Sequence, residues 1–395
     1  MKLNQKAVSL GQTRSCIREI FEYAQKRKQL IGSENVFDFS LGNPSIEAPE
    51  CVNKELVNLI ETQNSVSLHG YTSAQGAKEL REKIAQHIKE NYNYTQNPDL
   101  IYVTCGAAAG LTSTLGAIIN EGDEVIVFAP FFPEYKVFVE GVGGVIKVVQ
   151  SKAPDFKLPL EELKESITEK TKAVILNSPN NPTGVVVTKE ELKTLSQILN
   201  ECENTVYLIS DEPYRELCYD NKAPFVPHFY KNTIVCYSFS KSLSLPGERI
   251  GYVLVGDECE EKENLFFGIC GAAREKGYVC APSLFQHLLT RVIGEVSDVS
   301  LYKQNRDILC NALKEIGYTF AKPDGAFYLF VKALEDDAKA FCETAKEYEL
   351  MLVPSDDFGT KGWVRISYCV DKDTIMSALP SFKALFLKYK EKKNG

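Results

Sequence analysis

The chain of 395 residues carries 45 Lys and Arg against 53 Asp and Glu, a formal net charge of −8, with 44% hydrophobic and 25% charged residues. That length and balance suit a globular protein of about two to three domains with a large core, and they exclude a disordered chain and argue against a broad nucleic-acid face. Twelve scattered cysteines form no CxxC, and the four histidines (His69, His87, His228, His287) stand far apart, so neither a disulfide framework nor a metal site is expected.

The first fourteen residues, MKLNQKAVSLGQTR, lack an apolar stretch of the secretory kind, and a cytoplasmic location is expected. Ile17, Ile20, Phe21 and Ala24 then recur at helical spacing in a segment reaching Glu34, and Glu79 to Asn91 predicts a second amphipathic helix with Leu80, Ile84 and Ile88 on one stripe. Leu100 to Asn120 is uncharged and about long enough to span a bilayer. Its glycines and hydroxyl residues read instead as a strand end, a glycine turn and a buried helix, so no membrane span is expected. Nearly continuous apolar runs follow at Glu124–Phe128, Ala173–Leu176, Val206–Ile209, Thr233–Tyr237 and Ile250–Val255. Runs of that kind predict strands covered on both faces, as in a mostly parallel sheet. Thr188 to Glu201 lies between two of them and opens with a capping box, Thr188-Lys189-Glu190-Glu191. The alternation makes an α/β fold. After about Gly294 the pattern changes to helices with short strands, Phe327–Val331 and Trp363–Ser367, a smaller α+β domain.

Ligands of an open α/β sheet sit at the carboxyl ends of its strands, so the polar residues just past each expected strand matter most. Thr104-Cys105-Gly106-Ala107-Ala108-Ala109-Gly110 follows Tyr102–Val103, and Asn177 to Gly184 follows Leu176. Ser210-Asp211-Glu212-Pro213-Tyr214 follows Ile209, and Ser238-Phe239-Ser240-Lys241, with Arg249 beyond, follows Tyr237. The Gly/Ala turn offers bare backbone N–H groups and the positive end of a helix dipole, which suits a phosphate. Arg249 adds a planar donor fork for the same anion. A buried Asp211 could hold a proton on a ring nitrogen. Lys241 could act as a Schiff-base nucleophile if its amine is partly neutral, with Arg249 helping to depress its pKa. Phosphate, protonated ring nitrogen and lysine imine together describe pyridoxal phosphate, PLP.

Further segments stand in order around these: Leu41-Gly42-Asn43-Pro44, Tyr71 with Gly76 and Leu80-Arg81, Pro130-Phe131-Phe132-Pro133-Glu134-Tyr135, Asn181-Pro182-Thr183-Gly184, Arg249-Ile250-Gly251, Pro323-Asp324-Gly325-Ala326-Phe327-Tyr328, and Arg365 in Trp363-Val364-Arg365-Ile366-Ser367. Each is weak alone. In this order, over nearly the whole chain, they make the sequence resemble the class I/II (fold-type I) PLP-dependent aminotransferases. The resemblance implies a mostly parallel central sheet with helices on both faces, in the aspartate-aminotransferase-like manner. It also implies a large PLP-binding domain of residues 45–290 and a small domain built from 1–44 and 291–395. Lys241 would carry the cofactor and move the substrate proton, and Asp211 would pair with the pyridine nitrogen. Asn181 and Tyr214 would meet the ring hydroxyl, and Phe132 would stack on the ring. The backbone of Gly106, Ala107 and Ala108, with Ser238 and Arg249, would hold the phosphate. Arg365 would grip the substrate α-carboxylate in a bidentate pair, with Gly42 and Asn181 nearby. A homodimer is implied, with Tyr71 reaching the phosphate of the neighbouring subunit.

The implied reaction is ping-pong transfer of an amino group from an L-amino acid to a 2-oxo acid. Some aspartate-specific members place a lysine where this chain has Ala108, and others use an arginine of the partner subunit in a stretch like Ala273-Arg274-Glu275-Lys276-Gly277-Tyr278. Arg274 is thus a candidate contact for a distal carboxylate. Ser355 replaces a usual glycine and is followed by Asp356-Asp357, two acids that would disfavour acidic substrates if they faced the substrate arginine and would otherwise form a solvated loop. Aspartate, alanine and aromatic donors stay open. A PLP-dependent C–S β-lyase shares every one of these residues. A non-catalytic PLP-binding regulator is the third reading; the motifs begin by Leu41, which leaves little room for the DNA-binding extension such proteins carry.

Overall fold

The structure, a computed structural model, describes residues 3–12 and 15–394. Its strands in chain order are β1 (Phe37–Asp38), β2 (Ile101–Thr104), β3 (Glu124–Ala129), β4 (Val145–Gln150), β5 (Thr171–Asn177), β6 (Tyr207–Asp211), β7 (Thr233–Ser238), β8 (Gly251–Val255), β9 (Tyr328–Lys332), β10 (Leu350–Met351), β11 (Val353–Pro354) and β12 (Trp363–Ser367). Strands β2 to β8 form one seven-stranded sheet in the order β2-β8-β7-β6-β5-β3-β4. Neighbours run parallel except for β8, which is antiparallel to both β2 and β7.

The apolar runs in the sequence are continuous because both faces of this sheet are covered. Successive side chains point to opposite faces. Tyr102, Ile234, Cys236, Val253 and Val255 join Leu111 and Leu115 of the Ala107–Ile118 helix and Ile269 and Ala273 of the Lys262–Glu275 helix on one face. Ile101, Val103, Val235, Tyr237, Tyr252 and Leu254 meet Leu80, Ile84 and Ile88 of the Lys78–Tyr92 helix on the other, so the stripe expected there is the buried one. The five expected strands are observed as β3, β5, β6, β7 and β8, each within two residues at either end. Strand β4 (VIKVVQ) has its apolar run interrupted by Lys147. It lies at the sheet edge, leaves Val145 and Val148 exposed, and carries Lys147, which pairs with Glu124 of β3 at 3.2 Å. The uncharged Leu100–Asn120 segment resolves into β2, a turn at Gly106 and the Ala107–Ile118 helix, and among the described residues no helix is long and apolar enough to cross a membrane.

The Lys189–Asn200 helix begins with the reciprocal cap its sequence promised. The Thr188 hydroxyl accepts from the Glu191 N–H at 3.1 Å, and the Glu191 carboxylate accepts from the Thr188 N–H at 2.8 Å. Thr188→Ala leaves one helix-end donor without its partner and is expected to cost about 1 kcal/mol. The check is the urea midpoint at constant slope; a midpoint equal to the parent's would show that the cap adds nothing here.

Beyond the central sheet, β11, β12 and β9 form an antiparallel sheet in that order, with Arg365 of β12 opposite Phe330 of β9. Its core joins Leu309, Leu313, Phe327, Leu329, Val364, Ile366 and Phe382 to Phe39 from the other end of the chain. Strand β1 pairs in parallel with β10. The Cys16–Ile31 helix packs Ile20 and Ala24 on Met351, Val353 and Phe358.

Candidate active site

Strands β5, β6 and β7 end side by side at Asn177, Asp211 and Ser238, at the carboxyl edge of the sheet. A cavity of about 350 Å³ opens there, lined by Gly42, Ala107, Ala108, Phe132, Asn181, Asp211, Tyr214, Ser238, Lys241, Arg249 and Arg365, with Ser15, Ile17 and Arg18 also contributing. The structure thus brings together residues that the sequence strings out from residue 15 to residue 365. Gly106 lies directly beneath Arg249: a Cβ at this position would sit 2.6 Å from Arg249 Nη2. Tyr71 is 88% exposed, and neither it nor the exposed Arg274 lines the cavity of its own chain.

Asp211 is 4% exposed. Its Oδ2 accepts a hydrogen bond from the Tyr135 phenol at 2.5 Å, while its Oδ1 is buried without a hydrogen-bond partner among the described residues. Burial pushes this carboxyl up to about 7; the Tyr135 hydrogen bond pulls it down and nearby Glu212 pushes it further up. Tyr135 is the functional residue that sequence reasoning passed over. It stood in a quoted motif, but nothing in its spacing says that its phenol reaches a carboxylate on β6. Tyr135→Phe is expected to raise the Asp211 carboxyl further, and infrared absorption of the protonated carboxyl should then persist to higher pH than in the parent. An unmoved titration would mean that the phenol does not govern this acid.

Asn177 was likewise passed over. Its amide donates to the Asp211 carbonyl at 2.9 Å and accepts from the Asn181 N–H at 2.8 Å, tying the ends of β5 and β6 to the turn that carries Asn181. Lys241 follows Ser238 in the short Phe239–Ser242 helix, and its Nζ donates to the Gly42 carbonyl at 2.7 Å. Burial lowers its ammonium from 10.5 to about 8; Cys369 works the other way, and Arg249 and Arg365 add to the lowering. Arg249, the cause expected from the sequence, contributes less than loss of water.

On one side of the lysine lies an anion cradle. The Ala107–Ile118 helix starts at Gly106 (φ 83°) with no side-chain cap, which leaves its first N–H groups open to a ligand. The Arg249 guanidinium donates to the Pro246 carbonyl at 2.9 Å and to Ser240 Oγ at 3.4 Å, and Ser240 Oγ lies 2.8 Å from Ser238 Oγ. Ser240 therefore joins Ser238 in this cradle. On the other side is Arg365, 2% exposed. Its Nη1 donates to Asn181 Oδ1 at 3.1 Å and its Nη2 to the Ser40 carbonyl at 2.6 Å, while Nε is buried without a partner. The guanidinium stacks over Tyr328 at 4.6 Å, whose hydroxyl lies 2.9 Å from that of Tyr214. Gly42 has no room for a side chain, since a Cβ there would meet the Tyr328 hydroxyl at 2.0 Å. Asp356 and Asp357 are exposed and do not line the cavity, so the solvated-loop alternative describes them.

The chemistry available is therefore a partly neutral lysine amine between two anion sites, beside a buried acid with one free oxygen. Comparison with known proteins agrees with that arrangement. Residues 34–382 match the family model described as aminotransferase class I and II. The chain is 33% identical over 372 residues to the aspartate aminotransferase of Thermotoga maritima, covering 92% of this chain and 95% of that one. It is 29% identical over 376 residues to a probable N-acetyl-LL-diaminopimelate aminotransferase of Bacillus subtilis, covering 91% of each. A crystal structure of an amino transferase from Eubacterium rectale superposes with a TM-score of 0.96 at 50% identity, covering 98% of this chain and 99% of the other.

Proposed function

The chain belongs to the class I and II aminotransferases, and from that premise we propose that it is a PLP-dependent transaminase moving the amino group of an L-amino acid to a 2-oxo acid by a ping-pong mechanism. The observation that carries this is the Asp211 carboxylate: buried, with one oxygen lacking a hydrogen-bond partner among the described residues, in the cavity that also holds Lys241. A protonated ring nitrogen is the partner that fits such an oxygen.

The residues present fit PLP. Bound there, the cofactor supplies an electron sink for the electrons of the substrate Cα–H bond. The open N–H groups at Gly106, Ala107 and Ala108, with Ser238 and Arg249, hold its phosphate. Asp211 keeps a proton on its ring nitrogen, Asn181 and Tyr214 meet its ring hydroxyl, and Phe132 covers its face. Arg365 takes the substrate α-carboxylate; it is already oriented by Asn181, the Ser40 carbonyl and the Tyr328 ring. Lys241 Nζ accepts the proton from the substrate Cα and passes it on, a task for which a pKa of about 8 is better matched than one of 10.5.

The same reading includes a homodimer in which Tyr71 serves the neighbouring subunit's phosphate. Its exposure and its absence from the lining of its own chain's cavity support that role. A large domain of residues 45–290 and a small one from 1–44 and 291–395 belong to it as well, supported by the core that joins Phe39 to residues beyond 300. Twelve free cysteines support a reducing, cytoplasmic setting.

Aspartate, alanine and the aromatic amino acids are the donors to test. The experiment is the absorbance spectrum of the purified protein during titration with each. A band near ~420 nm that converts to ~330 nm with one donor is the expected result. A persistent band with release of pyruvate and ammonia would assign the C–S β-lyase instead.

A further inference from the structure

Arg18 lies in the first turn of the Cys16–Ile31 helix and lines the same cavity as Lys241 and Arg365. Its position is fixed from both sides. Ser15 caps the helix by accepting from the Arg18 N–H, and Ile20 and Ala24 anchor the helix on Met351, Val353 and Phe358. Three other cations line the cavity, and each has an anion or a chemical task under the reading above: Arg249 the phosphate, Arg365 the α-carboxylate, Lys241 the proton. Arg18 has none. Its guanidinium makes no ion pair among the described residues.

This chain's own lining meets neither route to a distal carboxylate that the sequence suggested, Arg274 having been named as a residue that would come from the partner subunit. Ala108 is neutral, and Arg274 is exposed outside the lining. Among the described residues the one carboxylate in the lining is Asp211, whose Oδ2 is held by Tyr135, and Asp356 and Asp357 lie outside the lining. A guanidinium offers a planar fork that matches a carboxylate, and its place at a helix N-terminus adds the favourable end of the dipole.

We propose that Arg18 receives the distal carboxylate of a dicarboxylic amino acid, so that this chain's own N-terminal helix sets the donor class. The inference rests on the transaminase reading, in which Arg365 takes the α-carboxylate. Its test uses the PLP-loaded enzyme as parent, Arg18→Ala and Arg18→Lys. Values of kcat/KM are measured for L-aspartate and L-alanine, and the binding of succinate and propionate is followed by calorimetry.

Loss of a charge-assisted hydrogen bond predicts that the aspartate-to-alanine ratio of kcat/KM falls at least about tenfold in Arg18→Ala, mainly through KM, with partial recovery in Arg18→Lys. The preference for succinate over propionate should shrink by a similar factor. A ratio within about threefold of the parent's, or a parent that prefers alanine, overturns the inference and leaves transamination standing. A parent that turns over no amino acid overturns the reading beneath it, and the succinate comparison then decides Arg18 alone.

Discussion

Replacing Lys241 with alanine is expected to abolish the visible band of the lysine-bound cofactor and to lower kcat by roughly four orders of magnitude or more, because in the proposed mechanism one side chain both carries the cofactor and moves the substrate proton. No neighbour can take over. Tyr214 is buried, and its phenol titrates well above its ordinary value, chiefly through loss of water. The remaining nitrogen bases in the cavity are arginines. In the parent, burial sets the Lys241 amine at about 8, so the fraction able to accept a proton grows with pH up to that point and then levels off. The kcat profile should show the same single rising limb. A Lys241→Ala protein that keeps its visible band would place the cofactor on another residue.

Asp211→Asn is expected to lower kcat by several orders of magnitude with a smaller effect on KM, because the amide keeps the shape but cannot hold a proton on the ring nitrogen. A loss below about tenfold, roughly 1.4 kcal/mol, would mean that Asp211 has another role. The same residue makes a separate prediction for protein stripped of cofactor. Its carboxyl moves from 3.8 to about 7 on folding. Between those values the folded state holds a proton that the unfolded chain has released, so stability falls as pH rises through that window and is flat above it. The total is on the order of 4 kcal/mol. Asp211→Asn should remove that slope, and cofactor binding should offset it by placing a cation opposite the free oxygen. Denaturant midpoints across the window measure both.

Much of this was legible in the sequence because its causes are local. A strand covered on both faces must be apolar throughout, which exposed β3, β5, β6, β7 and β8. A capping box is a four-residue pattern, and residues just past strand ends collect at one rim by topology alone. What stayed hidden depends on distance across the fold. Strand β4 is half covered, and Lys147 breaks its apolar residues into two pairs. Tyr135 meets Asp211 over a separation of 76 residues, and no periodicity encodes that pairing. The Ser40 carbonyl that orients Arg365 is a backbone group with no sequence signature. Arg18 reads as an ordinary charge on an amphipathic helix until the cavity lining is known. The lowered pKa of Lys241 was anticipated from a neighbouring arginine, whereas burial, a property of the whole fold, is its main cause.

The arginine held between Ser40 and Asn181 also has a meaning in the order of synthesis. Every side chain of the chain's own cavity assigned to the cofactor lies between Gly106 and Arg249, and by the time the ribosome has added Arg249 all of them exist. The guanidinium proposed to grip a substrate is translated much later, on β12, close to the end of the chain. A nascent or prematurely terminated product would therefore hold the parts that retain the cofactor without the part that retains an amino acid. On that assignment, binding of a substrate carboxylate would wait until β12 has been made and folded back to meet Ser40.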